Sequence, residues 1–296
     1  MVKLGFHSKA KDWLLKAWLN VCVAVQKGRP LTLVDLYAGD GEVWADDRPD
    51  GVIERWEGSS VRMAAAAAKA TGGKVRVVVN EISATAFGKL LVQLRPYEEV
   101  VAAHFNLDAR TGIDSILSTL VPNHHNFVFV DPFSPTEIDV PTLRKVASVT
   151  TPGYYAEKTF TRRPEIMFTF MPSALWRAPE GLADRFFGPF DWRTSFRDAK
   201  EQDGLPTAEC YVTALAASML DLYPGPCWTY EVKSPKGPIV YYVVFWSTHP
   251  LANELYPKIR QYAYRYQSQD VLGKFITLKE RVRAIGVKGR PIEGYP

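Results

Sequence analysis

Short apolar strands and amphipathic helices alternate along roughly the first 170 residues of this chain, and that alternation dictates an α/β fold with a parallel sheet and right-handed crossovers. Leu14, Ala17, Trp18, Val21 and Val25 form one face of a helix over about 7–27, which Gly28-Arg29-Pro30 ends. Strand one follows and ends at Asp35. A polar stretch, 42–57, with Asp46, Asp47, Pro49, Asp50 and Gly51, reads as a long loop. Ser59 is a plausible N-cap for an alanine-rich helix to about Ala70, closed by Gly72-Gly73. Strand two is about 75–81, with a helix over 84–94. Strand three is about 100–106, with a helix over 113–120. Strand four, Phe127-Val128-Phe129-Val130-Asp131, is apolar until its last residue, as expected of a strand covered on both faces. A short helix over 141–149 leads to strand five, about 165–170.

The pattern then changes. Residues 172–225 read as irregular, with one good helix over 208–222. Strands over 228–233 and 240–246, joined by Pro235-Lys236-Gly237-Pro238, read as a hairpin. A helical stretch over 251–266 contains Pro257, a candidate kink. The tail from Gly286 is basic and reads as surface. With no repeat and no clear linker, the expectation is one domain over 1–296 carrying an irregular cap at about 172–226.

Composition sets outer limits. The 296 residues are 47% hydrophobic and 23% charged, the balance of an ordinary globular protein. No apolar run reaches a membrane span, and the start, Met1-Val2-Lys3-Leu4-Gly5-Phe6-His7-Ser8, has no signal-peptide core, so a cytoplasmic location is expected. Cys22, Cys210 and Cys227 match neither zinc-knuckle nor iron–sulfur spacing and are expected as buried free thiols, with no metal site. A net charge of +4 is compatible with a nucleic-acid partner without demanding one.

The chemistry concentrates at strand ends. Leu33-Val34-Asp35-Leu36-Tyr37-Ala38-Gly39-Asp40-Gly41 carries an apolar strand into an acid and two glycines, so a ligand can approach the backbone closely. Glu81 ends strand two, where Rossmann-type sites grip ribose hydroxyls. Together these indicate an adenosine-containing cofactor. Asp35 also reads as a simple strand end, and Asp108 as a helix cap. Asp131-Pro132-Phe133-Ser134 ends strand four, with an acid to orient an acceptor and an aromatic to stack on it; an acid and a strand-stopping proline is the plainer reading.

The basic cluster His7-Ser8-Lys9-Ala10-Lys11 opposes the helix dipole, which suggests phosphate or cofactor contact, or a solvated face. His124-His125 read as a loop before strand four, and His249 follows the last strand, from where it could reach the site rim. Aromatic and arginine residues interleave at Phe160, Arg162, Arg163, Trp176, Arg177, Trp192, Arg193, Phe196 and Arg197. That mixture suits base stacking with phosphate contact, and equally a cap over a core.

Five alternating units and a terminal hairpin resemble the Rossmann-like class I methyltransferase pattern, mostly parallel, with an antiparallel last strand inserted beside strand five. That resemblance implies S-adenosyl-L-methionine as cofactor, held by Asp35, Tyr37, Ala38, Gly39, Gly41, Glu81, Ile82, Asp108 and Ala109. Asp131, Pro132 and Phe133 would be catalytic, as in Asp-Pro-Pro-Tyr-like amino-methyltransferase motifs, although only one proline is present. The order of His7-x-Lys9, Asp35-x-Tyr37-Ala38-Gly39-x-Gly41, Gly58-Ser59, Asp131-Pro132-Phe133 and Tyr242-x-Val244-x-x-Ser247-Thr248-His249-Pro250 looks like the three-Cys-motif partner family. It implies further contacts from His7, Lys9 and Ser59, and a radical-type partner protein carrying three cysteines. The chain departs from that family at Ser134, where glycine is usual, and at Asn80-Glu81-Ile82-Ser83, which lacks a second acid. The expected function is methyl transfer to an exocyclic amine of a nucleobase in RNA or DNA. The alternatives are methylation of a small molecule or protein, and a non-catalytic cofactor-binding partner.

Overall fold

The computed structural model describes residues 2–3, 8–26, 28–45, 53–70, 74–121, 123–155, 157–177, 181–233 and 239–269. In chain order the elements are β1 (Val2–Lys3), α1 (Ser8–Gln26), β2 (Leu31–Asp35), β3 (Glu42–Ala45), β4 (Glu54–Glu57), α2 (Ser59–Ala68), β5 (Val75–Asn80), α3 (Ala84–Leu94), β6 (Val101–Phe105), α4 (Ala109–Leu117), β7 (His125–Val130), α5 (Val140–Ser148), β8 (Thr151–Tyr155), β9 (Lys158–Arg162), β10 (Glu165–Phe170), α6 (Pro172–Arg177), α7 (Leu182–Phe187), α8 (Trp192–Glu201), α9 (Thr207–Met219), β11 (Trp228–Lys233), β12 (Ile239–Trp246) and α10 (Pro250–Gln269).

Seven strands form the central sheet in the order β11-β12-β10-β7-β2-β5-β6. β6, β5, β2, β7 and β10 are parallel; β12 runs antiparallel beside β10, and β11 antiparallel to β12. This is the Rossmann-like class I methyltransferase topology. The chain winds outward from β2 through β5 and β6, then restarts at β7, so the carboxyl ends of β2 and β7 flank the topological switch point, where open α/β sheets bind ligands.

Every residue of β2, β7 and β10 is buried. Alternation along each strand sends successive side chains to opposite layers. Leu31, Leu33, Phe127 and Phe129 pack with α1, α2 and α10, while Val34, Val128 and Val130 pack with α4, α5, α7 and α9. On the first face Trp18 meets Phe245 and Tyr256 edge-on.

Several expectations are corrected. The 42–57 stretch is not all loop: β3 and β4 pair antiparallel, with β1 parallel to β3. The segment after β10 is not irregular. It holds α6, α7, α8 and α9, and Leu175, Phe186, Phe187, Tyr211 and Met219 belong to the second core face. The interleaved aromatics are largely used in that packing: Phe187, Trp192, Phe196 and Tyr211 stack on one another, and Arg193 lies over Trp192 while bonding Asp184. β8 and β9 form a further hairpin. α4 begins at Ala109, because Asp108 caps it, rather than near 113. α10 continues through Pro257. The 235–238 turn, the tail from Gly286 and His7 lie outside the described residues. Among the described residues, no helix is long and apolar enough to cross a membrane.

Candidate active site

The loop after β2 is built around one buried acid. Asp35 Oδ2 accepts the hydroxyls of Ser59 (2.5 Å) and Ser60 (2.7 Å), and Oδ1 accepts Tyr37 N–H (3.2 Å). Burial pushes the Asp35 carboxyl up to about 6, against the opposing pull of these three donors. Asp35 therefore ties the start of α2 to the end of β2. Ser59, expected as an N-cap, sits one residue inside the helix. The cap position is Gly58, whose N–H donates to Gly41 O at 2.8 Å. Gly39 and Gly41 both lie in the left-handed region, at φ 62° and 83°, where glycine is favoured. A Cβ at Gly41 would stand 3.1–3.2 Å from the side chains of Gln93 and Val61.

A buried amide holds three loops together. Asn80 Nδ2 donates to Leu36 O (3.0 Å) and Leu107 O (3.1 Å), while its Oδ1 accepts Leu107 N–H (3.2 Å). Ala38 N–H donates to Asn80 O at 2.9 Å. The loops after β2, β5 and β6 are thus locked in one register. Glu81 lies immediately beyond Asn80, with Oε2 on Gly39 N–H and Oε1 on Ser83 N–H, both at 2.8 Å. Ile82 beside it is 57% exposed. Asp108 Oδ1 caps α4 through Arg110 N–H (2.8 Å) and Thr111 N–H (3.4 Å), and Ala109 is buried in the first turn. The capping reading of Asp108 holds.

Asp131 follows β7 on the other side of the switch point. Lys11 Nζ donates to its Oδ2 at 2.5 Å, and the Lys11 side chain is only 5% exposed. Burial opposes the ammonium charge, but Asp131, then Tyr241 and Asp12, outweigh it and raise the Lys11 pKa. Its ammonium also lies 5.6 Å from the Tyr241 ring centroid. Lys9 pairs with Glu54, and Trp56 Nε1 donates to Asp12. The basic start of α1 is thus neither a solvated face nor an unmatched charge: carboxylates from two directions receive it.

Pro132 is buried, and Phe133 is 75% exposed. The Phe133 loop is fastened at its base. Phe133 N–H donates to Glu137 Oε2 (2.8 Å), and Tyr37 O–H donates to Glu137 O (2.6 Å). The structure therefore brings Tyr37, Ala38, Gly39, Gly41, Glu81, Asp131, Pro132 and Phe133 to the carboxyl ends of β2, β5 and β7.

His249 belongs elsewhere. It follows β12, which runs antiparallel, so the chain leaves that strand at the amino end of the parallel strands, and His249 is buried there near His125. His125 is not in a loop: it opens β7. Asn80 was missed as the residue that ties these loops together, and Lys11 was noted only as one charge of the cluster at the start of α1. A lone amide at a strand end carried no signal, whereas the anomalous charge at the start of α1 did.

No family model matches the chain, and no curated protein matches it. The three-Cys-motif resemblance finds no support there. Among solved structures, the Legionella pneumophila protein LPL1258, of the family-model DUF519, is similar over 90% of this chain and 94% of its own, with TM-score 0.51 and 9% identity. An O-methyltransferase from Bacillus cereus, solved in complex with SAH, is similar over 79% of this chain and 80% of its own, with TM-score 0.42 and 13% identity. The first likeness supports the fold described above.

Proposed function

We propose that this protein is an S-adenosylmethionine-dependent methyltransferase acting on an exocyclic amine of a nucleobase in nucleic acid. One juxtaposition carries the reading: an acid, a proline and an exposed aromatic follow β7, directly across the switch point from a glycine loop held against Glu81.

The residues fit the cofactor. A carboxylate offers about four acceptor positions, and the two backbone bonds of Glu81 leave acceptors for ribose hydroxyls. Ile82 adds an exposed apolar face for the adenine. Gly39 and Gly41 keep the loop free of Cβ atoms where the cofactor backbone would lie. When bound, the cofactor supplies an electrophilic methyl group. On the chain's side, Asp131 and the Pro132 carbonyl accept the amine N–H bonds and aim the nitrogen lone pair, while Phe133 stacks on the base. Lys11 holds Oδ2 and so aims the carboxylate, leaving Oδ1 for the amine. The aromatic at 133, presented to solvent from a fastened loop, favours a base over a small aliphatic amine. The reading is independent of any radical-type partner.

The test is tritium transfer from labelled cofactor into bulk RNA and DNA, beside calorimetry with S-adenosylhomocysteine. Asp131→Ala is expected to keep cofactor affinity and lose about 10²–10³-fold in transfer. Equal transfer by wild type and Asp131→Ala would reduce Asp131 to a strand end. Cofactor binding with no transfer to nucleic acid or cell extract would make the protein a non-catalytic binder.

A further inference from the structure

The amino end of the sheet, opposite the candidate active site, carries a second group of reactive side chains. Cys22 comes from α1, His125 opens β7 and Glu165 opens the neighbouring parallel strand β10. All three are buried, and their ligand-type atoms lie within 4.8 Å of one another. His125 Nε2 stands 3.2 Å from Glu165 Oε2. Two ligands on one tetrahedral zinc ion, with bonds of about 2.0–2.1 Å, stand about 3.3 Å apart.

His125 Nδ1 makes no hydrogen bond, and Glu165 Oε2 has only His125 Nε2 beside it, as an ion-pair contact. Groups this deeply buried are rarely left unsatisfied, because the desolvation is not recovered. A small cavity of about 20 Å³ opens against Cys22, His125, Glu165 and His249, with Trp18 and Leu255 among its apolar walls. That is room for one water-sized occupant.

We propose that Cys22, His125 and Glu165 form a zinc-binding site, its fourth position facing the cavity that His249 lines. The donor set is that of a borderline-soft divalent ion: one sulfur, one imidazole nitrogen and one carboxylate oxygen. Charge selects the same ion. A thiolate and a carboxylate cancel Zn²⁺, and a neutral imidazole adds nothing, so the loaded site is neutral among apolar walls. Binding is balanced by one proton: the Cys22 S–H bond breaks, an S–Zn bond forms and the proton leaves to solvent. The ion would join α1 to two central strands.

The full chain, purified without chelator, is desalted and its zinc measured, then stripped and titrated with Co²⁺. One equivalent of zinc and a thiolate-to-cobalt charge-transfer band are expected. Zinc in about 100-fold excess over its dissociation constant should raise Tm by about 5 °C or more. Cys22→Ser and Glu165→Gln should each lose the band and bring retained zinc to background, with the fold checked by circular dichroism. Wild-type protein that retains no zinc and gives no thiolate band overturns the proposal outright, leaving a buried His125–Glu165 pair. Retention unchanged in both variants overturns it too, by placing the metal elsewhere.

Discussion

Replacing Lys11 with Met keeps the aliphatic stem and removes the charge that Asp131 holds at 2.5 Å. Removing one partner of a fully buried pair costs about 3–5 kcal/mol, because the other charge is stranded. Lys11 is 5% exposed but Asp131 is 21% exposed, so water recovers part of that cost, and about 2–3 kcal/mol is expected for Lys11→Met. Asp131→Asn added to Lys11→Met removes both charges at nearly constant volume, so most of the loss should return. The cycle of wild type, two single variants and the double variant should give a coupling of about 1–3 kcal/mol. Urea unfolding followed by circular dichroism measures it, with the midpoint shifting and the slope unchanged. Transfer should fall in Lys11→Met through kcat, with affinity for S-adenosylhomocysteine kept. Single-variant losses that simply add in the double variant would refute the pair as described.

Asp35 gives a pH test. Its carboxyl is raised to about 6 in the folded protein from about 3.9 unfolded, so the folded state holds that proton more tightly. Stability from this group is present below about pH 4 and is lost between about pH 4 and 6, by about 3 kcal/mol. Asp35→Asn should therefore gain on wild type in urea midpoint across that window, and a constant difference would contradict the burial argument. Gly41→Ala, at φ 83° with Gln93 and Val61 in the way, should lose about 1–2 kcal/mol in thermal melts. Gly88→Ala, which meets open space on α3, should be neutral or stabilising by up to about 1 kcal/mol. Phe133→Ala should leave stability unchanged and weaken nucleic-acid binding by about 1–3 kcal/mol in anisotropy titrations at fixed salt; equal affinity would remove Phe133 from the interface.

What was legible in the sequence was what local pattern controls. The apolar run 127–130 announced a strand buried on both faces, and the terminal hairpin announced the antiparallel β12. The tight loop after Asp35 was legible because a strand end followed by two glycines has few physical uses. β3 and β4, four residues each, and α6 and α7, six each, are too short for their periodicity to show. Pairings across the chain were hidden for a different reason. Lys11 looked anomalous alone, but its partner lies 120 positions away. His249 lies at the opposite end because β12 reverses direction, and Cys22 gained neighbours only when β7 and β10 came to lie side by side.

Helix α1 runs the depth of the sheet. Lys11 and Cys22 are about 16 Å apart along the helix axis, close to the length of the strands behind it, so its first turn reaches Asp131 while its last turns reach His125 and Glu165. The wall that covers it comes from the other end of the chain: Tyr241, Phe245 and Tyr256. Helix α1 is therefore made well before part of the wall that seats it. At about 5–20 residues per second, the roughly 230 residues between Lys11 and Tyr241 take about 10–50 s to make. Throughout that interval Trp18 lacks the cover that Phe245 and Tyr256 give it, which makes the nascent chain a client for hydrophobic-binding chaperones. A chain cut short before β12 would leave the side of α1 around Trp18 bare.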